Sequence, residues 1–458
     1  MCGIAGGRGH GRERLRAACD ALAHRGPDAS GTAVENGVGL AHTRLAIRDP
    51  DPRSDQPYHY GSTTLVYNGE LWNAEQVRAE LAAAGLGFAT PGDTEVVAAA
   101  LDHWGEAALE RLDGMWAMAW VRDGVLRLAT DRYGEIPLHV TPDATFASER
   151  KALPALGRRA AAGEHLGPGR LVVAGQGEVR TRRWYTPPAL PVDTDAERAA
   201  KELRARLEHA VAVRTASDVP IACLLSGGLD SALTLALLRP LLPGVVAYTA
   251  VYDERSPDLR CARRLAADLG VELVEVPVPP PTPDGLARAV EAVEQPHKAQ
   301  VEIGWACLAL AARLRSDGAR VVYSGEGSDE LWASYGFAYH GIARMGWHPY
   351  RAHLFAEQHR KNFARVNKVF LAHGVEPRMP FLDRGVVELA LGLPRDVVAE
   401  GSRPKAVLEH AAEGLLPDYV TRRSKLAFQD GLGLKAAAAL AVRDPARFYR
   451  AEYARRFR

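Results

Sequence analysis

The 458-residue sequence is short of every feature that would tie it to a membrane, to nucleic acid or to a disulfide framework. No apolar run approaches the roughly 20 residues that span a bilayer. The first residues lack a basic stretch followed by an apolar one, so no secretory signal is expected. An excess of either charge is also missing: 57 Lys plus Arg face 56 Asp plus Glu, a formal net charge of +1. That balance provides no electrostatic footprint for nucleic acid or for an acidic membrane surface. Cysteine is scarce, with Cys2, Cys19, Cys223, Cys261 and Cys307 scattered and odd in number, and no C-x-x-C spacing. A disulfide framework and a thiolate metal site are both disfavoured, and a reducing, cytoplasmic setting is expected. Internal repeats are absent. What remains is an ordinary globular composition, 47% hydrophobic and 25% charged, and a length suited to two or three domains.

The chain opens MCGIAGG. A cysteine directly behind the initiator methionine would, once the methionine is removed, carry its thiol and a free α-amine on one residue, nucleophile and base together. Taken alone, these seven residues favour an accidental cysteine.

A proline-rich stretch, TPPALPVDTDAE at 186–197, divides the chain, and Asp195 is placed to cap a helix starting near Ala196. The expected domains are residues 1–185 and 197–458, joined by a linker at 186–196. In the first, short β-like runs (GVGLAH, TTLVYNG, MWAMAWV, VLRLATD, RLVVAG) alternate with helical patterns at 71–84 and 94–104. This predicts a mixed α+β unit in which sheet can pack on sheet. In the second, VPIACLLS, VVAYTAV, VELVEVP and RVVYS are separated by helical patterns at 230–239, 257–269 and near 302–316. That rhythm predicts an α/β doubly wound parallel sheet.

Two loops of the second half carry chemistry. In LLSGGLDSA (224–232) a buried strand ends, two glycines follow, and a helix starts near Asp230. Glycines let backbone amides approach an anion, and the helix N-terminus adds its positive dipole end. Ser226 and Ser231 add hydroxyls. The spacing differs from G-x-x-x-x-G-K-[ST] and resembles the PP-loop of ATP pyrophosphatases. VVYSGEGSDELW (321–332) is again strand, glycine-rich turn and acidic helix start. Glu326, Asp329 and Glu330 can serve as caps there, yet Asp230 and Asp329 are also hard oxygen donors suited to Mg²⁺ beside phosphates.

Taken in order along nearly the whole chain, these motifs resemble glutamine-dependent asparagine synthetases. MCGIAG, HRGPD (24–28), HTRLAI (42–47), YNGELWN (67–73), GDTEV (92–96), DRYGEIPL (131–138) and ASERKAL (147–153) match the first half. LSGGLDS, SPDL (256–259), SGEGSDE (324–330), ARVNK (364–368), EPRMPFLD (376–383) and SKLAFQDGLG (424–433) match the second. The resemblance implies an N-terminal nucleophile αββα sandwich, a class II glutaminase, followed by a PP-loop synthetase of the adenine nucleotide α-hydrolase-like type. Cys2 would attack the glutamine amide, with Asn68 and Gly69 as the oxyanion hole. Arg44 would hold the glutamine α-carboxylate, and Glu70 and Asp93 the α-amine. ATP would lie on Leu224, Ser226, Gly227, Gly228, Asp230, Ser231, Val251, Ser324 and Gly325. Asp230 and Asp329 would hold Mg²⁺, Lys425 would stabilise charge during adenylation, and Glu326 would receive a proton from ammonia. The implied partners are glutamine, ATP and a small carboxylate, with neither nucleic acid nor membrane, and a homodimer is admitted. Related β-lactam-forming synthetases lack both that glutamate and the N-terminal cysteine, so amide formation is expected here.

Departures gather at the expected acceptor pocket. A T-T-I-R-like stretch reads KAQVE (298–302), placing Glu302 where the family carries arginine. LFGGY becomes LWASY (331–335), which adds bulk, and a lysine of G-x-K-P-L becomes Ile136. A buried anion near a carboxylate substrate disfavours aspartate, so the expected acceptor is a small acid other than aspartate, with drift inside a true asparagine synthetase as the competing reading. Two further readings stand beside these: a synthetase using another amine with a vestigial glutaminase, and a non-catalytic protein that kept the fold.

Overall fold

Period-two alternation along the strands builds the first half. The computed structural model describes all residues except 176, 189–194, 402 and 424–432. In the strand Gly114–Arg122, Met115, Ala117, Ala119 and Val121 join one core, and Trp116, Met118 and Trp120 another. A strand that buries both faces belongs to the inner layers of a sandwich.

The strands are β1 (Gly3–Arg8), β2 (Ala29–Glu35), β3 (Val38–Arg44), β4 (Tyr58–Tyr60), β5 (Thr63–Leu71), β6 (Gly114–Arg122), β7 (Val125–Thr130), β8 (His139–Val140), β9 (Phe146–Ala147), β10 (Glu164–His165), β11 (Arg170–Ala174) and β12 (Val179–Arg183). They form two antiparallel six-stranded sheets, ordered β10-β8-β9-β1-β3-β2 and β12-β11-β7-β6-β5-β4. Ile4, Val38, Val66 and Met115 pack between the sheets. The helix Arg12–Leu22 covers the first sheet through Leu15, Ala18 and Leu22. The helices Ala74–Ala83 and Asp93–Trp104 cover the second. The layers are therefore αββα.

The second half is a parallel sheet of β13 (Ile221–Leu224), β14 (Val246–Val251), β15 (Leu273–Pro277), β16 (Val321–Tyr323) and β17 (Glu376–Arg378), ordered β15-β14-β13-β16-β17. Helices at Leu229–Leu238, Pro257–Leu269, Lys298–Ser316 and Asn362–Leu371 run between the strands. Strand order reverses between β13 and β16. The loops leaving those two neighbours therefore open a crevice at the carboxyl end of the sheet, the position where doubly wound folds bind ligands. The helix near 302–316 begins four residues earlier than its pattern suggested, at Lys298.

Most of the expected linker at 186–196 lies outside the described residues. Its end behaves as read: the Asp195 carboxylate accepts from the Arg198 N–H at 2.9 Å and caps the helix Ala196–Val213. The five cysteines are all buried, and none is in a disulfide. Among the described residues no helix is long and apolar enough to cross a membrane.

Trp120, only 1% exposed, fills the core between the second sheet and its helices. Trp120→Ala should cost about 3–5 kcal/mol, read as a lowered urea midpoint for the first half with unchanged denaturant slope.

Candidate active sites

Alternation also sets the first site. On β5, Val66 faces the inter-sheet core and Leu65, Tyr67 and Leu71 face the helices. Asn68 and Glu70 share the parity of Val66 and so point between the sheets. Cys2 shares the parity of Ile4, which faces the same space from β1. The two strands thus bring nucleophile and polar partners together without a loop. The Cys2 N–H donates to Asn68 Oδ1 at 2.8 Å. Cys2, Arg44, Gly69, Glu70 and Asp93 line one cavity of about 30 Å³, together with Met1. That volume is room for one water.

Each of these groups is held. Arg44 donates to the Asp51 carbonyl at 2.9 Å and to Asp55 at 2.6 Å. The Asp93 carboxylate accepts from the Leu71 N–H at 2.9 Å. A Cβ added at Gly69 would lie 2.2 Å from the Met115 carbonyl oxygen and 2.5 Å from Trp116 Cβ, so only glycine lets β5 and β6 pair this closely. Burial pushes the Cys2 thiol up, while the terminal ammonium and Arg44 pull it back. Burial, Glu376 and Asp93 push the Glu70 carboxyl well above the usual range.

Met1 occupies the doorway of this site. Its ammonium pairs with Glu376 at 2.5 Å, its Sδ accepts from Asn367 Nδ2 at 3.1 Å, and it is 2% exposed. Amine and thiol therefore sit on different residues. Sequence reasoning had assigned no role to Arg25, although it lies in HRGPD. Fully buried, it donates to the Cys2 carbonyl at 2.9 Å, to Glu149 at 2.7 Å and to Asn367 of the second half at 2.9 Å. Arg48 was missed too, and lines the cavity beside Glu70 and Asp93.

The second site forms where β13 and β16 end. Leu224 closes β13, and Gly227 takes φ +80°; a Cβ there would lie 2.3 Å from the Asp258 carbonyl oxygen. Gly228 caps the ten-residue helix Leu229–Leu238, leaving its first amides open toward the loop. Ser226 and Ser231 lie 3.0 Å apart, hydroxyl to hydroxyl. Val251 ends the neighbouring β14. From β16, Gly325 comes so close that a Cβ on it would lie 2.9 Å from Asp230 Cβ. Ser328 Oγ donates to Asp230 at 2.7 Å. The two loops therefore meet.

Their meeting point contains Lys405, unassigned by sequence reasoning because no motif frames it. Its Nζ is 2.6 Å from Asp230 and 2.6 Å from Asp329, and the residue is 6% exposed. Both carboxylates thus aim at one cation-sized point. Such oxygens fit Mg²⁺, which takes one or two carboxylates and leaves its other positions to water and phosphate. Among the described residues no cluster of three or more His, Cys, Asp or Glu makes a metal cage without phosphate.

Beyond it lies a polar cluster. Arg365 pairs with Glu326 and donates to Gln300 at 2.8 Å and Asn362 at 3.1 Å. Asn362 and Tyr335 donate to Glu330 at 2.7 and 2.5 Å. Burial, with Asp329 and Glu326 nearby, lifts Glu330 to about 7. Among the described residues Glu302 shares no hydrogen bond or ion pair with this cluster. It pairs with Lys298 at 3.1 Å and lies near Tyr449 of the last helix. Residues 300 and 302 are about 200° apart around a helix, so Gln300 is the residue presented to Arg365. The added bulk of Trp332 goes into the core, where its Nε1 donates to Ser328 at 3.0 Å, and Ile136 is likewise core. Lys425 lies outside the described residues.

An amide-cleaving pocket in one half and a nucleotide crevice in the other are the division of labour of a glutamine-dependent synthetase, in which hydrolysis feeds an ATP-driven step. Residues 1–166 match the glutamine amidotransferase domain family, and residues 202–369 and 352–447 match asparagine synthase. The chain is 32% identical over 452 residues to "Asparagine synthetase [glutamine-hydrolyzing] 2" of Oryza sativa subsp. japonica, covering 92% of itself and 75% of that protein. It is 31% identical over 457 residues to "Asparagine synthetase B [glutamine-hydrolyzing]" of Escherichia coli (strain K12), covering 92% and 81%. The solved allosteric regulatory enzyme of purine biosynthesis aligns over 61% of this chain and 82% of its own at 18% identity, with a TM-score of 0.38. The chain belongs to the glutamine-hydrolysing asparagine synthase family, whose members use ATP.

Lys405→Ala leaves Asp230 and Asp329 without the ammonium between them. It should lower thermal stability by about 3–5 kcal/mol in metal-free buffer. Added Mg²⁺ should raise the melting temperature of the variant more than that of the parent. Equal Mg²⁺ responses would mean that the two carboxylates do not share a cation site.

Proposed function

We propose that the chain converts a small carboxylate of the aspartate type to its amide with ammonia from glutamine, releasing glutamate, AMP and pyrophosphate. The observation that carries this is the Cys2–Asn68 contact. Asn68 Oδ1 is taken by the Cys2 N–H, and its Nδ2, which donates to Ser148 Oγ at 3.5 Å, keeps a second N–H to give. The Cys2 sulfur attacks the amide carbon of glutamine, and negative charge gathers on the amide oxygen. Asn68 Nδ2 and the Gly69 N–H receive that charge, donors typically worth about 3–4 kcal/mol each. Ammonia leaves, and water releases glutamate from the thioester. Arg44 holds the α-carboxylate of glutamine, and Glu70 and Asp93 hold its ammonium.

In the synthetase half the acceptor carboxylate attacks the α-phosphorus of ATP. Pyrophosphate leaves against Ser226, Gly227, Gly228, Ser231 and the helix N-terminus, and Lys425 takes the role of stabilising the developing charge. Leu224, Val251, Ser324 and Gly325 frame the nucleotide. Asp230 and Asp329 would hold Mg²⁺, which screens the phosphate charge when bound. Ammonia then attacks the acyl carbon, Glu326 takes the proton, and AMP departs. Five buried, unpaired cysteines suit a reducing cytoplasm, and homodimer formation remains part of the reading.

The acceptor expectation changes. The charge argument against aspartate placed Glu302 in the pocket, whereas its carboxylate is compensated by Lys298 on the other side of the helix. Arg365 is the cation on the acceptor side, and it suits the second carboxylate of aspartate.

Pyrophosphate release with ATP, Mg²⁺ and ammonium, measured across small carboxylates, should select aspartate. If aspartate is inert while another acid turns over, the acceptor assignment falls and the ligase assignment stands. Cys2→Ala should abolish glutamine-dependent synthesis and leave the ammonium-dependent reaction intact. Protein retaining Met1, identified by intact mass, should also release no glutamate.

A further inference from the structure

Strand β17 meets both sites through one residue. Arg378 belongs to the synthetase half and is fully buried. Its Nη2 lies 3.8 Å from Glu70 Oε2 in the glutaminase pocket, and among the described residues neither atom has a hydrogen-bond partner. The rest of the guanidinium is anchored. Nε donates to Glu376 at 2.8 Å, Nη1 donates to the Arg214 and Ala216 carbonyls, and the group lies 5.4 Å from the centre of the Trp72 ring. Arg378 therefore cannot swing toward Glu70, but Glu70 can move toward it. On the same residue, the backbone carbonyl accepts the Ser324 N–H at 2.9 Å, at the root of the nucleotide loop. Tyr323, the last residue of β16, pairs with it in register.

We propose that Arg378 is a positioning residue of the glutaminase reaction, supplied by the synthetase half, that holds Glu70 as an anion for the glutamine ammonium and links this site to the nucleotide loop. The inference rests on the reading that Glu70 binds that ammonium. Burial, Glu376 and Asp93 keep the Glu70 carboxyl above its usual range even with Arg378 3.8 Å away. An anionic Glu70 therefore needs the closer contact that Arg378 Nη2 and Glu70 Oε2, each without another hydrogen-bond partner among the described residues, can make, and a neutral Glu70 has little to offer an ammonium ion. Loss of Met1 would remove one cation from Glu376 and leave Arg378 as the cation bridging Glu376 and Glu70. The backbone link means that a shift of β17 displaces both the Glu70 partner and Ser324.

The test compares the parent, Arg378→Met and Arg378→Lys, each with its N-terminus verified by mass. Arg378→Met should raise the KM for glutamine about tenfold or more, while ammonium-dependent pyrophosphate release stays within roughly twofold. Arg378→Lys should recover part of the glutamine KM. The parent should release more glutamate from glutamine when ATP and acceptor are present, and Arg378→Met should lose that stimulation. An unchanged glutamine KM in Arg378→Met overturns the proposal, as does a parallel loss of ammonium-dependent synthesis, which would mark a merely structural role. If Arg378→Met does not fold, a cycle of Glu70→Gln with Arg378→Lys decides: strict additivity in glutamine KM overturns the coupling, and non-additivity supports it. A parent that releases no glutamate overturns both this inference and the glutaminase reading beneath it.

Discussion

A seam of buried charge between the two halves holds both centres in place. The Met1 ammonium, Glu376, Arg378 and Glu70 form one stretch of it. Arg25, Glu149 and Lys151 form a second, and Lys368 with Glu294 a third, beside His139. Burying such groups costs several kcal/mol per ion, and hydrophobic residues of equal volume would often be at least as stabilising. The seam is therefore poor as glue and good as register. A carboxylate must meet its own cation, so the halves dock in one orientation. Glu294 shows how strict this is: it takes a positive φ of 55° at the end of the helix Pro283–Val293, from which its carboxylate accepts the backbone N–H groups of Arg150 and Lys151.

That docking explains why the glutaminase half needs so few loops. Cys2 and Asn68 come from adjoining faces of the two sheets and are aligned by strand parity. Arg25 ties the Cys2 carbonyl to Asn367 on the helix Asn362–Leu371. Two residues earlier on that helix, Arg365 holds Glu326. One rigid helix thus carries a contact to the nucleophile and a contact to the acidic loop of the other site. The separation of the two chemistries is set by helical rise and not by a flexible connection.

The sequence exposed whatever depends on local pattern. The strand–glycine–helix passage at 224–232, the Asp195 cap and the alternation of β5 and β6 are all short-range features, and each is found where its residues suggested. Strand β1 was not legible as a strand, because GIAGGR sets a single β-branched residue, Ile4, among three glycines, and it pairs with β3 and β9 on either side. Strand β17 is three residues long with a proline in the middle, which argues against a strand when read locally. Lys405, Arg365 and Arg378 were invisible as site residues because each acts on a partner from a distant segment. Glu302 was misplaced for the opposite reason. An aligned position was taken as a pocket position, and only the helix phase tells that Gln300 faces Arg365 while Glu302 faces away.

Met1 is the point at which nucleophile and seam become one system. Its ammonium is an internal cation for Glu376, and its side chain fills the space between Cys2 and Asn367. While it stays, the thiol lacks an α-amine of its own and the cavity holds no more than a water. When it leaves, the amine moves to the residue that carries the thiol, the doorway facing the synthetase half is vacated, and Arg378 is the cation that stays on Glu376. Activation of the nucleophile and rearrangement of the charge between the halves are then a single covalent event. The electrostatics of the glutamine site would be completed by a residue of the domain that consumes the ammonia.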